Sequence, residues 1–183
     1  SMGPRIRQLL KATECPEQFI EAHIKIDSYQ FIVWVHQDWH REMIERSGSV
    51  LTYFHETLVM REKQSVQILK GLHGKRLILD VVDQSPHLYG NHLNDGYLYR
   101  NTIAMRELDQ IALGHELLHE AGVVGATPLE EAELARIDQL ILQKQGFWLK
   151  NLLERIQYLV VWGYIPTGTI HLGQVITTRL EMM

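Results

Sequence analysis

The sequence predicts an α+β fold, in which a small mixed sheet is followed by an active-site helix and further C-terminal helices. Segments with strand character dominate the first hundred residues, and helical spacing dominates from about Met105 onwards. The composition, with 45% hydrophobic and 22% charged residues, is that of an ordinary globular protein. A chain of 183 residues suits one core. We therefore expect a single domain over residues 1–183.

Four segments are rich in β-branched and aromatic residues and predict strands. They are residues 29–36, 50–57, 76–83 and 97–104. Between the second and third of these, residues 60–73 show helical spacing through Val66, Leu69 and Leu72. Gly74 is placed to end that helix.

The second half of the chain predicts three helices. The first covers residues 105–122 and should stop at Gly122. The second covers residues 127–146, where Thr127 suits an N-cap, Pro128 the first helical position and Gly146 the stop. The third runs from about residue 147 to 162, and a short strand is expected at 174–180.

Charge and hydropathy indicate neither nucleic acid nor a membrane as a partner. The formal net charge is −4, and no dense run of lysine and arginine occurs. The longest apolar stretch, residues 158–162, is far too short to cross a bilayer. Cys15 is the single cysteine, so no intrachain disulfide forms and a reducing compartment fits. Since no signal pattern is visible, we expect a cytoplasmic location.

Residues 115–119 spell HELLH, the pattern that carries the chemistry of this chain. On a helix, His115 and His119 lie four positions apart on one face and can hold one zinc ion through imidazole nitrogens. Glu116 lies about 100° around the helix from His115. There it can act as general base for a water on the metal.

The composition allows this motif to arise by chance. With ten histidines, an accidental HExxH is expected in roughly 4% of shuffled sequences. The helical context supports the interpretation of HELLH as a metal-binding motif, because an apolar arc through Leu113, Leu117 and Leu118 faces away from the histidines. The competing interpretation is a partly buried helix with two incidental histidines.

The motif and its helix resemble those of the zincin metallopeptidases over about residues 97–140. The resemblance implies one zinc ion, ligands at His115 and His119, a catalytic base at Glu116 and an upstream edge strand that pairs with extended substrate. It also implies that residues 97–104 supply that edge strand.

The third zinc ligand is not fixed by the motif. Metzincins read HExxHxxGxxH, whereas this chain has Gly125 at the last position, which has no side chain to coordinate. Gluzincins take a glutamate from the next helix, followed by a small residue, and Glu131 before Ala132 is similar to that pattern. Glu131 is therefore the predicted third ligand.

The sequence also offers other candidates for the third zinc ligand. Glu130 fits a capping box with Thr127, which gives it a structural role. An acidic first turn that complements the helix dipole would also explain Glu131. The remaining candidates are Glu133, Asp138, His92 and His171.

Further polar side chains could assist catalysis or form a second site. Tyrosine hydroxyls or a histidine could donate to an oxyanion; the candidates are Tyr97, Tyr99, Tyr164 and His171. His36 and His40 are also four apart, but a second metal site there is less favoured than surface histidines.

The sequence thus predicts a zinc-dependent endopeptidase that acts on a protein or peptide substrate. The alternative is a catalytically inactive zinc-binding protein that uses the same fold to bind a partner. The short chain is also similar to ImmA/IrrE-type regulatory peptidases and to short zinc-peptidase effectors injected by bacterial pathogens. The latter would imply delivery out of the producing cell. The oligomeric state is not predicted.

Overall fold

The computed structural model describes residues 12–81, 90–92 and 101–161. The chain divides into two compact units, Ser1–Leu134 and Ala135–Met183. The HELLH motif at residues 115–119 and the predicted third ligand Glu131 lie in the first unit. The expectation of a single domain stays a prediction.

The first unit is built on a five-stranded mixed sheet with the order β1-β2-β3-β5-β4. β1 and β2 form an antiparallel hairpin, β2, β3 and β5 run parallel, and β4 is antiparallel to β5. The strands are β1 Phe19–Ile26, β2 Tyr29–His36, β3 Arg76–Val81, β4 Gly90–His92 and β5 Thr102–Met105.

Five helices occur in the described part of the chain, so the predicted α+β class is confirmed. They are α1 Gln37–Ser47, α2 Val50–Val59, α3 Ser65–Leu72, α4 Gln110–Glu120 and α5 Pro128–Val161. As predicted, α4 follows the sheet and α5 follows α4.

The predicted strand at residues 50–57 is wrong, because this segment is helix α2. Ser49 caps the helix by accepting a hydrogen bond from the Thr52 N–H at 3.0 Å. Tyr53, Phe54 and Thr57 are buried at helical spacing. The β-branched and aromatic residues that suggested a strand fill one face of this helix.

Three elements were not predicted from the sequence, namely β1, α1 and the short β4. From Glu21 onwards β1 alternates exposed positions with buried or half-buried ones, and it turns back into β2 at Asp27, whose φ of 55° is left-handed. In α1, His36 is the N-cap, and Gly48 ends the helix with a φ of 87°. The signals were present, namely an alternating FIEAHIKI and a glycine after an amphipathic run.

Three predicted boundaries also change, the first being the start of α4, which lies at Gln110 rather than at residue 105. α3 starts at Ser65 rather than at residue 60, and Val66 is exposed while Ile68 is buried. Gly74, with a φ of 76°, follows the end of α3 as expected. The predicted stop at Gly146 is wrong, because α5 continues through it. The strand expected at 174–180 lies outside the described residues.

The core lies between one face of the sheet and the helices. The fully buried side chains of β2, β3 and β5 on this face meet the leucines of α4. The other face carries a smaller cluster of Phe19, Trp34 and Ile78. Because its leucines are held in the core, α4 directs a different side away from the sheet.

The predicted edge strand at 97–104 is wrong for the part that the structure describes. β5, which begins at Thr102, pairs with β3 on one side and with β4 on the other. Within the described residues the edge next to β5 is therefore β4, which runs antiparallel and lies beside α4.

Candidate metal centre

Helix α4 presents two histidines from a tightly fixed position. Asp109 caps its start, and its Oδ1 accepts the Ile111 N–H at 2.8 Å. Leu113 and Leu117 are fully buried in the core. The His115 and His119 rings lie on the other side with their centroids 5.0 Å apart, and 18% and 9% of their side-chain surfaces are exposed.

The end of α4 orients His119. Gly122 has a φ of 73°, and its N–H donates to the His119 carbonyl while the Val123 N–H donates to the Leu118 carbonyl. This is a Schellman ending, which confirms Gly122 as the predicted stop. The turn that follows places the Val124 carbonyl 3.0 Å from Nδ1 of His119. A proton on Nδ1 would satisfy that contact and leave Nε2 as the ligand atom.

The connection to α5 is closed by a capping box. The Glu130 N–H donates to the Thr127 hydroxyl oxygen at 3.3 Å, and the Thr127 N–H donates to the Glu130 carboxylate at 3.4 Å. The same carboxylate also accepts the Thr127 hydroxyl at 2.6 Å and the Gly125 N–H at 2.6 Å. The hydroxyl of Thr127, followed by the Gly125 N–H, lowers the pKa of Glu130. The predicted structural role of Glu130 is confirmed.

Glu131, the next residue, reaches both histidines. Its Oε2 lies 3.4 Å from Nε2 of His115, and its Oε1 lies 2.5 Å from Nε2 of His119. Leu134 is buried in the core three residues further on and holds this turn of α5 in place. One nitrogen from each histidine and one carboxylate oxygen all lie within 4.8 Å of one another.

The remaining candidate ligands do not join this group. His115, His119 and Glu131 are the one potential metal-binding set among the described residues. Glu133 is exposed on α5, and Asp138 belongs to the second unit. The side chain of His92 and the whole of His171 lie outside the described part, as do Tyr97, Tyr99 and Tyr164.

The donor set fits zinc. Two imidazole nitrogens and one carboxylate oxygen are the protein ligands of known catalytic zinc sites. With metal–ligand bonds of about 2.1 Å, a tetrahedral site separates its ligand atoms by roughly 3.4 Å. The distance from His115 to Glu131 already has that value, whereas the contact from His119 to Glu131 is shorter and would have to open.

Glu116 is buried, with 5% of its surface exposed. It follows His115 directly on α4, so its side chain leaves the helix about 100° from that of the histidine. β4 lies alongside the same helix. A buried carboxylate therefore directly follows the first histidine of the candidate metal-binding set.

Two residues that fix α4 were missed by sequence reasoning. Arg61 is buried and donates from Nη2 to the Ile111 carbonyl at 2.8 Å. A Cβ at Gly114 would lie 2.8 Å from the Arg61 side chain, so the glycine before His115 allows this close approach. No pattern in the sequence pairs these two positions.

Glu120 lies at the C-terminal end of α4, directly after His119. It is buried, and its Oε1 accepts the N–H of Asn101 at 2.8 Å. Asn101 has a left-handed φ of 70°, which asparagine tolerates better than most residues. Glu120 thereby ties the end of α4 to the start of β5.

The pair His36 and His40 does not form a metal site within the described residues. Nδ1 of His36 accepts the Asp38 N–H at 3.1 Å, and its ring packs edge-on against Phe19 at a centroid distance of 5.5 Å. His36 therefore serves as the cap of α1, and it is buried rather than on the surface.

Comparison of the chain with protein family models, curated proteins and solved structures found no match to any of them. Among the described residues, no helix combines the length and the apolar character that a bilayer crossing requires.

Proposed function

We propose that the protein is a zinc-dependent endopeptidase that hydrolyses a peptide bond of a protein or peptide substrate. The observation that carries the proposal is the convergence of His115 and His119 from α4 with Glu131 from α5. HELLH alone can arise by chance. A carboxylate delivered from the next helix onto both histidine nitrogens is a second, independent feature of such a site.

His115, His119 and Glu131 would hold the ion through three protein ligands, which leaves a position for water or substrate. When bound, zinc polarises a carbonyl oxygen and lowers the pKa of a coordinated water to about 7. The contact between His119 Nδ1 and the Val124 carbonyl would hold the imidazole with Nε2 directed to the metal.

Glu116 would act as the general base and then as the general acid. Its carboxylate takes one proton from the attacking water, whose oxygen forms a bond to the carbonyl carbon of the substrate. The same proton passes from Glu116 to the nitrogen of the leaving amine as the C–N bond breaks. The carboxylate of Glu116 is thereby regenerated, and the products are a carboxylic acid and an amine. The acid then loses the second water proton to the released amine or to solvent.

Substrate would bind in extended form along β4 rather than along β5. A peptide added to the outer edge of β4 continues the sheet by main-chain hydrogen bonds. That edge lies beside α4, whereas β5 has neighbours on both sides. The resemblance to zincins led to the expectation of an edge strand upstream of the motif, and β4 occupies such a position.

Two measurements on three proteins test this function. Zinc content is determined by plasma mass spectrometry, and cleavage is followed by mass spectrometry on a mixed-sequence peptide library. Glu116→Gln should keep one zinc per chain and lose cleavage by at least about 100-fold. Glu131→Ala should lose both, and the unchanged chain should show both.

A result of no zinc in the unchanged protein, even after addition of the metal, would overturn the proposal. Full zinc occupancy without cleavage of any library member would instead support the alternative, an inactive zinc-binding protein. Cleavage that persists in Glu116→Gln would remove Glu116 from the role of base.

A further inference from the structure

β1 is a long strand at the edge of the sheet opposite β4. It spans eight residues, and β2 is its one strand neighbour in the described part of the chain. Edge strands of this length expose a row of main-chain donors and acceptors that can pair with another strand. The strand therefore offers a specific surface for association.

The hairpin geometry identifies which groups of β1 point outward. Ile26 pairs with Tyr29 across the two-residue turn of Asp27 and Ser28, so this pair is hydrogen-bonded towards β2. Hydrogen bonding alternates along an antiparallel pair. The N–H and C=O groups of Glu21, His23 and Lys25 are consequently directed to the outer edge.

We propose that β1 pairs with β1 of a second copy of this chain, antiparallel and centred on His23, to form a two-fold dimer with one continuous sheet. Outward-directed residues must face each other in such a pair. Centring on His23 satisfies this condition for His23 with its own copy, and for Glu21 with Lys25 of the second copy.

The side chains are complementary in this register. Glu21 and Lys25 are both exposed, and each would lie opposite a residue of unlike charge, so the dimer contains two such pairs. On the other face, Ile20, which is 38% exposed, would lie opposite Ile26 of the second copy. Parallel pairing in register would instead place Glu21 beside Glu21 and Lys25 beside Lys25.

Charged residues on an edge strand normally prevent association. Here the charges protect the strand against unrelated or parallel partners, but not against an antiparallel copy of itself. The Glu21 carboxylate is fixed on its face of the sheet, since its Oε1 accepts the Trp34 indole N–H at 3.0 Å and its Oε2 lies 3.2 Å from Nε2 of His23, the central residue of the proposed pair. The hydrogen bonds with Trp34 and then with His23 lower the pKa of Glu21, which keeps the carboxylate ionised.

The test uses two charge reversals, Glu21→Lys and Lys25→Glu, with sedimentation velocity over a wide range of concentrations. The unchanged chain should dimerise. Each variant alone should raise the dimer dissociation constant by about tenfold or more, because both attractive pairs become repulsive. A one-to-one mixture should recover the affinity, since every pair between unlike variants is attractive.

Lys63→Glu, a charge reversal at another exposed position, serves as the control and should leave the dimer unchanged. A monomer at all concentrations would overturn the inference, as would dimers that neither reversal weakens or a mixture that does not recover. Recovery in the mixture also excludes simple misfolding of the variants. The inference is independent of the zinc site, because β1 and β4 form opposite edges of the sheet in the described part of the chain.

Discussion

Nε2 of His119 lies 2.5 Å from Oε1 of Glu131, although the two residues belong to different helices. The connection between the helices sets this contact. Gly122 ends α4 in a left-handed conformation, and the Val124 carbonyl contacts Nδ1 of His119. The Glu130 carboxylate accepts the Gly125 N–H at the start of α5. The ligand set therefore depends on the backbone of the turn as much as on its three side chains.

Removing the Glu131 carboxylate should abolish tight zinc binding. Glu131→Ala leaves two ligands of three. Loss of a residue that only hydrogen-bonds to a metal ligand typically lowers affinity about 10- to 100-fold, and we expect a larger fall here. Competition with a chromophoric chelator measures this. Glu133→Ala, at an exposed position of the same helix, is the matched control and should bind zinc normally. Equal affinities in the two variants would exclude Glu131 as a ligand.

A glycine substitution should separate the turn from the ligands. Gly122→Ala places a Cβ at a φ of 73°, which costs about 1–2 kcal/mol. Relief of that strain would move Val124 away from Nδ1 of His119, so zinc affinity should fall as well. Urea unfolding and chelator competition report the two effects.

Gly146→Ala serves as the control, because Gly146 lies inside α5 and, apart from its chain neighbours and the local helix backbone, no atom of the described residues comes within 4 Å of the position that a Cβ would take. This change should stabilise the helix by up to about 1 kcal/mol and leave zinc binding intact. Destabilisation by both substitutions, or unchanged zinc affinity in Gly122→Ala, would contradict the role given to the turn.

The sequence specified the local features of the site and missed its long-range supports. HELLH, the stop at Gly122 and the box of Thr127 with Glu130 are short patterns, each fixed by hydrogen bonds within a few residues. The same reasoning favoured Glu131, because Glu130 was already engaged as a cap. In the structure, the Glu131 carboxylate contacts both His115 and His119.

Contacts between distant segments could not be predicted. Arg61 reaches Ile111, and Glu120 reaches Asn101, across parts of the chain that share no motif. Residues 50–57 were assigned to a strand because β-branched and aromatic residues favour strands. In the structure, burial of these side chains on one face of α2 outweighs that propensity. The interior place of β5 follows from the pairing of β4, which composition does not reveal.

The capping box should give the protein a defined acid sensitivity. Hydrogen bonding lowers the folded-state pKa of Glu130 below its ordinary value of 4.5. Its contribution to stability is therefore present above that ordinary value and is lost as pH falls through the lowered pKa. Thr127→Ala removes the main cause of the shift, so the difference in unfolding free energy between it and the unchanged chain should shrink on acidification.

Urea unfolding at neutral pH and at about pH 3 measures that difference. At neutral pH we expect Thr127→Ala to cost about 1 kcal/mol, the usual value for a lost N-cap. Thr127→Ser retains a hydroxyl and should restore most of the stability. A difference that grows on acidification would have the wrong sign for a lowered pKa.

The packing of α3 against the end of α4 should be intolerant of one methyl group. A Cβ at Gly71 would lie 2.2 Å from the carbonyl oxygen of Ala121 and 2.7 Å from its Cβ. Because the obstacle includes backbone, Gly71→Ala can be accommodated only by displacing the end of α4. We expect a loss of about 1–3 kcal/mol by overpacking, despite the better helix propensity of alanine. Lys70→Ala, at the exposed neighbouring position, should change stability by less than about 0.5 kcal/mol.

The same displacement moves His119, so zinc affinity should fall in Gly71→Ala and remain unchanged in Lys70→Ala. Thermal unfolding with and without zinc tests both consequences, and a Gly71→Ala protein as stable as the unchanged chain would contradict this close helix contact.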